Sequence, residues 1–220
     1  MKNFINLTKN NQLFSGIEEK EIEAMLKCLN AKIKSYDKNQ YIYRFGENIS
    51  SVGLVLCGSV YLVKDDFLGN QTILSEAGVG QIFGETYACV PAETLEVSII
   101  TAEASEVMFL DIQRIMNVCS STCVFHARLI RNLLSVLAEK NLNLTRKMLH
   151  MSQRTTREKL LSYLSAEAQR NCSTVFKIPF NRQQLADYLA VDRSAMSNEL
   201  CKLRDDGILS FNKNCFKLNE

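Results

Sequence analysis

The spacing of hydrophobic positions changes twice along the chain. Ile17, Ile22, Met25, Leu26 and Leu29 fall at near-helical intervals, which predicts a short amphipathic helix over residues 14–29 with Ser15 as its N-cap. From Ile33 to Ile112 the intervals shorten. Residues 41–43, 52–57, 60–63, 72–74, 97–100 and 107–110 are short runs of β-branched and aromatic side chains. Seven of the nine glycines (46, 53, 58, 69, 78, 80 and 84) punctuate this stretch, as expected where many turns are needed. Repeated short strands at close turn spacing predict an antiparallel β-sandwich or roll.

After Thr122 no glycine occurs until Gly207, and the helical period returns. Alternating steps of four and three give Cys123, Ala127, Ile130, Leu134, Leu137, Asn141, Leu144, Met148 and Met151. That is an a/d heptad stripe with one polar member, the pattern of a helix that pairs with its own copy. Asn141 in such a seam fixes register and the two-stranded state at some cost in stability. A helix packed only on its own domain is the other reading of the stripe. A second apolar line, Leu129, Leu133 and Val136, is free to face the β domain. Thr155 and Glu158 then form a capping-box pair that starts a new helix with Leu160, Leu161, Tyr163, Leu164 and Ala168. Residues 151–155 read as a hinge between the two helices.

The last third carries the most specific pattern. Gln183, Gln184, Leu185, Ala186, Tyr188 and Leu189 predict a short helix, residues 190–192 a turn, and residues 193–204 a second helix with Met196, Leu200 and Leu203 inside. Ala186 is small enough for the backbones to meet, Val191 plugs the turn, and Asp192 is a good N-cap. Arg193, Ser194, Ser197 and Asn198 are left on the outer face at the helix N-terminus. That is where a recognition helix presents side chains to base edges in the major groove. Arg suits guanine, Asn suits adenine, and Ser suits either. Arg182, Gln183 and Lys202 are placed for phosphates. Residues 208–211 and 215–218 flank Asn212, Lys213 and Asn214 as a hairpin, which adds a wing with Lys213 at its tip.

Charge distribution strengthens this division. Residues 31–110 hold five Lys or Arg against ten Asp or Glu, whereas residues 146–220 hold thirteen against eight. The basic end is the candidate for nucleic acid. With 220 residues and 46% hydrophobic side chains the chain can bury two modest cores. No run approaches the roughly 20 apolar residues of a membrane span, and residues 1–11 lack the apolar core of a secretory signal. A cytoplasmic setting with free, mostly buried thiols is therefore expected for the eight cysteines, and no membrane partner. No pair shows C-x-x-C spacing. Nor does the chain carry a Gly-rich phosphate loop, a G-x-S-x-G elbow or H-E-x-x-H, and its two histidines leave little acid–base equipment for an enzyme.

The order of β-roll, long helix and winged helix resembles the Crp/Fnr family of bacterial transcription regulators over nearly the whole chain. Two stretches carry the resemblance. Gly80-Gln81-Ile82-Phe83-Gly84-Glu85 looks like the G-x-x-F-G-E segment of cyclic-nucleotide-binding rolls, and residues 183–200 look like the family's DNA-reading motif. The resemblance implies an α+β architecture: an effector roll with a short N-terminal helix (1–122), a dimerisation helix (123–151) and a winged helix-turn-helix (152–220). Its dimer contacts would be Ile130, Leu134, Leu137, Asn141, Leu144 and Met148. It further implies a homodimer on a palindromic duplex operator, with RNA polymerase as a further partner. Arg193 would read a base, with Ser194 and Asn198 setting the preferred sequence. Asn198 stands where some members carry a second arginine, so their operator does not transfer.

The effector region departs from the nucleotide binders. By resemblance its pocket would be lined by Phe83, Gly84, Glu85, Thr86, Val97 and Ser98. In those relatives an Arg-Ser pair after the Gly-Glu holds the cyclic phosphate. Here residues 91–98 contain Glu93 and Glu96 and no arginine, and no arginine occurs between Gly46 and Asp111. Two carboxylates at that place repel a phosphate, so an effector other than cAMP or cGMP is expected. No cofactor is named. Cys119, Cys123 and His126, with Cys89, are weak candidates for zinc, iron or a cluster, against the commoner outcome of buried structural thiols. A thiol- or metal-based redox regulator of the same architecture, and a ligand-binding dimer without DNA binding, remain as alternatives.

Overall fold

The computed structural model describes residues 11–65, 71–116 and 124–219. They form two compact units, Met1–Leu137 and Ala138–Glu220. The first is built on strands β1 (Lys32–Tyr36), β2 (Tyr41–Tyr43), β3 (Ser51–Cys57), β4 (Val60–Asp65), β5 (Gln71–Ala77), β6 (Ile82–Phe83), β7 (Ser98–Thr101) and β8 (Ser105–Asp111). They pair antiparallel in two four-stranded sheets of order β1-β8-β3-β6 and β2-β7-β4-β5. This is the expected antiparallel roll.

All six expected strands are present, and two were not legible. β1 reads Lys-Ile-Lys-Ser-Tyr, lies at a sheet edge and is mostly exposed, so it lacks a buried face to betray it. Charged side chains on an edge strand also discourage pairing with other chains. β6 is two residues long and pairs Phe83 with Gly53 and Ile82 with Leu54. A Cβ at position 53 would lie 2.2 Å from the Phe83 ring, so glycine is required there by close approach. Val52, Leu54, Val55 and Leu56 of β3 are buried among Val107, Met108 and Leu110 of β8.

The N-terminal helix starts later than its spacing suggested. Residues 12–14 make a single 3-10 turn capped by Asn11, and Ser15 closes that turn instead of opening a helix. The α-helix proper, α1, is Glu19–Cys28, with Glu18 and Glu21 forming the capping box. Leu13, Phe14, Ile17, Ile22, Met25 and Leu29 are buried in the roll's core. Two further short helices, α2 (Glu85–Cys89) and α3 (Ile112–Met116), complete the roll.

Helix α4 (Val124–Met151) is continuous, and the two units divide within it. In its first half Leu129, Leu133 and Val136 join the roll's core, as their line predicted. Asn132 Nδ2 donates to the carbonyls of Leu13 and Ser15, both at 2.9 Å, and Arg128 donates to that of Gly16. The N-terminal segment is thereby fastened to the helix. Of the expected seam, Ile130 and Leu137 are half-buried, whereas Leu134, Asn141, Leu144 and Met148 are exposed.

The second unit continues with α5 (Thr156–Arg170), β9 (Val175–Lys177), α6 (Arg182–Leu189), α7 (Arg193–Asp205), β10 (Leu209–Asn212) and β11 (Cys215–Leu218). Thr155 Oγ1 accepts from Glu158 N at 3.1 Å and Glu158 Oε2 accepts from Thr155 N at 3.1 Å, the capping box read from the chain. The three strands form a sheet of order β10-β11-β9. Leu160, Tyr163, Leu164, Phe176, Leu185, Leu189, Met196, Leu200, Leu203 and Phe216 make one buried core. Each fully buried side chain of this kind contributes about 1.5–3 kcal/mol. No helix among the described residues is long and apolar enough to cross a membrane.

Candidate nucleic-acid interface

Helices α6 and α7 meet at a tight turn whose geometry follows from local chemistry. Asn181 opens α6: its Oδ1 accepts from Gln184 N, and Gln184 Oε1 accepts from Asn181 N, both at 2.9 Å. Asn-x-x-Gln before an apolar run is a start signal carried by four consecutive residues. Ala186 is fully buried, and its carbonyl accepts from Val191 N at 3.0 Å. Ala190 ends α6 in the left-handed region, with φ of 50°. Asp192 Oδ1 then accepts from Ala195 N at 2.7 Å and starts α7. The cap fixes the register in which Met196, Leu200 and Leu203 point inward.

That register leaves Arg193, Ser194 and Asn198 exposed and Ser197 half-buried on the opposite side. The four residues expected to face bases therefore share one accessible face at the N-terminal end of α7. The helix stops at Gly207, whose φ is 74°. Gly207 N donates to Arg204 O and Ile208 N donates to Leu203 O, a Schellman ending that turns the chain into the wing.

The residues expected at phosphates, Arg182, Gln183 and Lys202, and the wing residue Lys213 divide into two groups. Lys202 is exposed and pairs with Glu199 at 3.3 Å, and Lys213 stands exposed at the wing's tip with φ of 53°. Gln183 is exposed and donates to Asp187 at 2.8 Å. Arg182 differs. Its guanidinium lies over the rings of Phe211 and Phe216, at 4.8 and 5.1 Å, and burial lowers its pKa. It braces the wing against α6 through cation–π contact.

Two basic residues that no spacing signalled hold the helices in place. Arg157, on the first turn of α5, donates to Glu199 at 3.2 Å and to Asp206 at 2.7 Å. These bonds raise its pKa further. Lys159 Nζ reaches the carbonyls of Leu189 and Ala190 at 3.3 and 3.5 Å. A cation there complements the negative end of the α6 dipole beside the turn.

In the roll, the pocket residues taken from resemblance are unevenly placed. Phe83 and Val97 are core side chains, and Thr86 is exposed. Gly84 has φ of 75° and caps α2, whose first residue Glu85 is only 6% exposed. Ser98 is buried, and its Oγ accepts from Phe45 N at 3.0 Å. Arg44 is held over the Tyr41 ring at 4.1 Å. Among the metal candidates, Cys119 and Cys123 lie outside the described residues. Cys89 is an exposed thiol whose pKa is raised by burial of part of the group and by Glu85, which disfavours the thiolate a metal needs. His126 is 2% exposed. Among the described residues no group of His, Cys, Asp and Glu is arranged to hold a metal ion.

An antiparallel roll, a long helix and a winged helix-turn-helix with Arg193, Ser194 and Asn198 exposed define the fold class of two-part DNA-binding regulators. Comparisons with known proteins agree with that class. The cyclic nucleotide-binding domain model matches residues 33–122, and the Crp-like helix-turn-helix domain model matches residues 127–219. The chain belongs to the Crp/Fnr family, a family of transcription regulators and not of enzymes. A protein of Rhizobium leguminosarum bv. viciae named a probable transcriptional activator is 31% identical over 41% of this chain, and the match spans 44% of that protein's length. The fold is similar to that of a CooA variant from Carboxydothermus hydrogenoformans, with TM-score 0.59, 19% identity, and coverage of 99% of this chain and 95% of that one. It is also similar to the c-di-GMP responsive regulator CLP of Xanthomonas campestris, with TM-score 0.57, 20% identity, and coverage of 92% and 100%.

Proposed function

We propose that this chain is a homodimeric, sequence-specific DNA-binding regulator acting in the cytoplasm. Helix α7 lies in the major groove in this reading, and the exposed stripe of α4 is covered by a second copy. The observation that carries it is the exposed set Arg193, Ser194 and Asn198, held in register by the Asp192 cap and the buried Met196, Leu200 and Leu203. A dimer places two such helices on half-sites about one helical turn apart, which suits a palindromic operator. Exposed Leu134, Leu144 and Met148, each at least 60% accessible, supply the apolar surface for self-association.

The effector is a molecule other than a cyclic nucleotide. Buried Glu85 and the exposed Glu93 and Glu96, with Ser98 already engaged by the Phe45 amide, make a poor phosphate site. Its binding shifts the population between two arrangements of the reading heads that match or miss the half-site spacing.

Filter binding or fluorescence anisotropy against selected and random duplexes tests the reading. Affinity for either should fall steeply as salt is raised, because phosphate contacts release counterions. Arg193→Ala should cost about 1–3 kcal/mol on the selected duplex and far less on random DNA. Equal losses on both would show that Arg193 touches phosphate and not a base.

A further inference from the structure

His150 is the one buried residue in the second half of α4. It is 6% exposed, on the last turn before the break at residues 152–155, and its Nδ1 is 2.8 Å from Ser162 Oγ of α5. Its ring stands edge-on to Tyr163 at 5.7 Å and lies 6.4 Å from Tyr188 of α6. Tyr163 and Tyr188 are 5.4 Å apart, and Phe180 closes the cluster 4.9 Å from Tyr188. Lys147, one turn earlier on α4, is held over the Tyr188 ring at 5.6 Å. The break that reads as a hinge in the sequence is thus bridged by side chains. The same cluster ties the end of α4, which carries Leu144 and Met148, to α6, the helix that leads into the recognition turn.

We propose that His150 is a positioning residue that latches the seam-bearing end of α4 to the helix-turn-helix, and that its protonation releases the latch. The proposal rests on reading α7 as the groove-reading helix. Neutral imidazole can accept from or donate to Ser162; imidazolium loses the acceptor role and brings a buried charge into a ring-walled site. Burial lowers the His150 pKa from its ordinary 6.5; Glu167 of α5 opposes this and Arg170 of α5 adds to it. Glu167 is already bound to Arg170 at 2.7 Å, which limits its use as a counter-ion. From α4, Lys147 lies over the Tyr188 ring and Arg146 acts on the same tyrosine, while Tyr163 and Tyr188 are neutral, their pKa values raised by burial. Because the latched state holds the proton less tightly than an opened one, the latch is intact above pH 6.5 and weakens as pH falls below it. The chain has two histidines, so replacing one isolates its share of any response in this range.

The test uses full-length protein, with wild type, His150→Gln and His150→Ala. The DNA probe is a duplex recovered by the wild type from a randomised pool at neutral pH. Glutamine keeps a hydrogen bond to Ser162 and cannot take up the proton. Acidification from about pH 7.5 to 5.5 should weaken specific binding by the wild type about tenfold, and leave His150→Gln within about threefold. His150→Ala should bind weakly at every pH. Amide exchange over residues 152–156, measured without DNA, should quicken on acidification in the wild type relative to His150→Gln. Identical pH dependence of wild type and His150→Gln, or wild-type affinity in His150→Ala, overturns the latch. Failure to recover any duplex overturns the groove-reading function instead, and the exchange comparison then decides the latch by itself.

Discussion

The two halves of α4 share one helical period and similar residues, yet they are buried very differently. In the first half Leu129, Leu133 and Val136 are 0%, 2% and 9% exposed, packed in the roll's core. In the second, Leu142, Leu144, Met148 and Leu149 are 54%, 62%, 70% and 59% exposed, and only His150 is buried. An apolar stripe states what a helix will bury and not what covers it. In the first half the line Leu129, Leu133 and Val136 is covered by its own chain and Leu134 is left exposed; the second half exposes four large apolar side chains within eight residues.

The sharpest way to break this contrast is to charge the exposed half. Leu144→Asp with Met148→Asp should dissociate the proposed dimer and weaken operator binding by orders of magnitude, while the circular dichroism of the single chain stays unchanged. Sedimentation velocity reads the first effect. A dimer that survives both changes would place its interface elsewhere. The complementary change in the buried half, Leu133→Ala, should cost about 2–5 kcal/mol of folding stability in denaturant titrations. Leu144→Ala, its exposed counterpart, should leave the stability of the dissociated chain nearly unchanged.

The smallest effect concerns the recognition turn. Ala190 holds a left-handed conformation that disfavours a side chain, with φ of 50°. Ala190→Gly should therefore stabilise the second unit by up to about 1 kcal/mol, the relieved strain being offset in part by added freedom of the unfolded chain. Thermal unfolding measures it. Destabilisation would mean that the Cβ packs usefully where the two helices meet.

Much of the candidate interface was legible because its signals are local. Thr155 with Glu158, Asp192 before α7 and Gly207 after it each act within a few residues, so their spacing in the chain is their spacing in space. Ser15 is a good cap residue by type, yet it closes the 3-10 turn that Asn11 opens, and α1 starts at Glu18 through its capping box with Glu21. β1 escaped because an edge strand need not bury a face.

What the sequence determined by itself was the order of elements, their caps and turns, and the side of α7 that faces outward, because these depend on periodicity and on bonds spanning three or four residues. Only the tertiary structure decided how the a/d stripe of α4 is covered, with Ile130 and Leu137 half-buried and Leu134, Leu144 and Met148 exposed. It also brought Arg157 to Glu199 and Asp206, laid Arg182 over the wing's rings, and set His150 against Ser162. Those partners are separated by 12 to 49 positions, and no local pattern specifies a contact that exists only once two helices have packed.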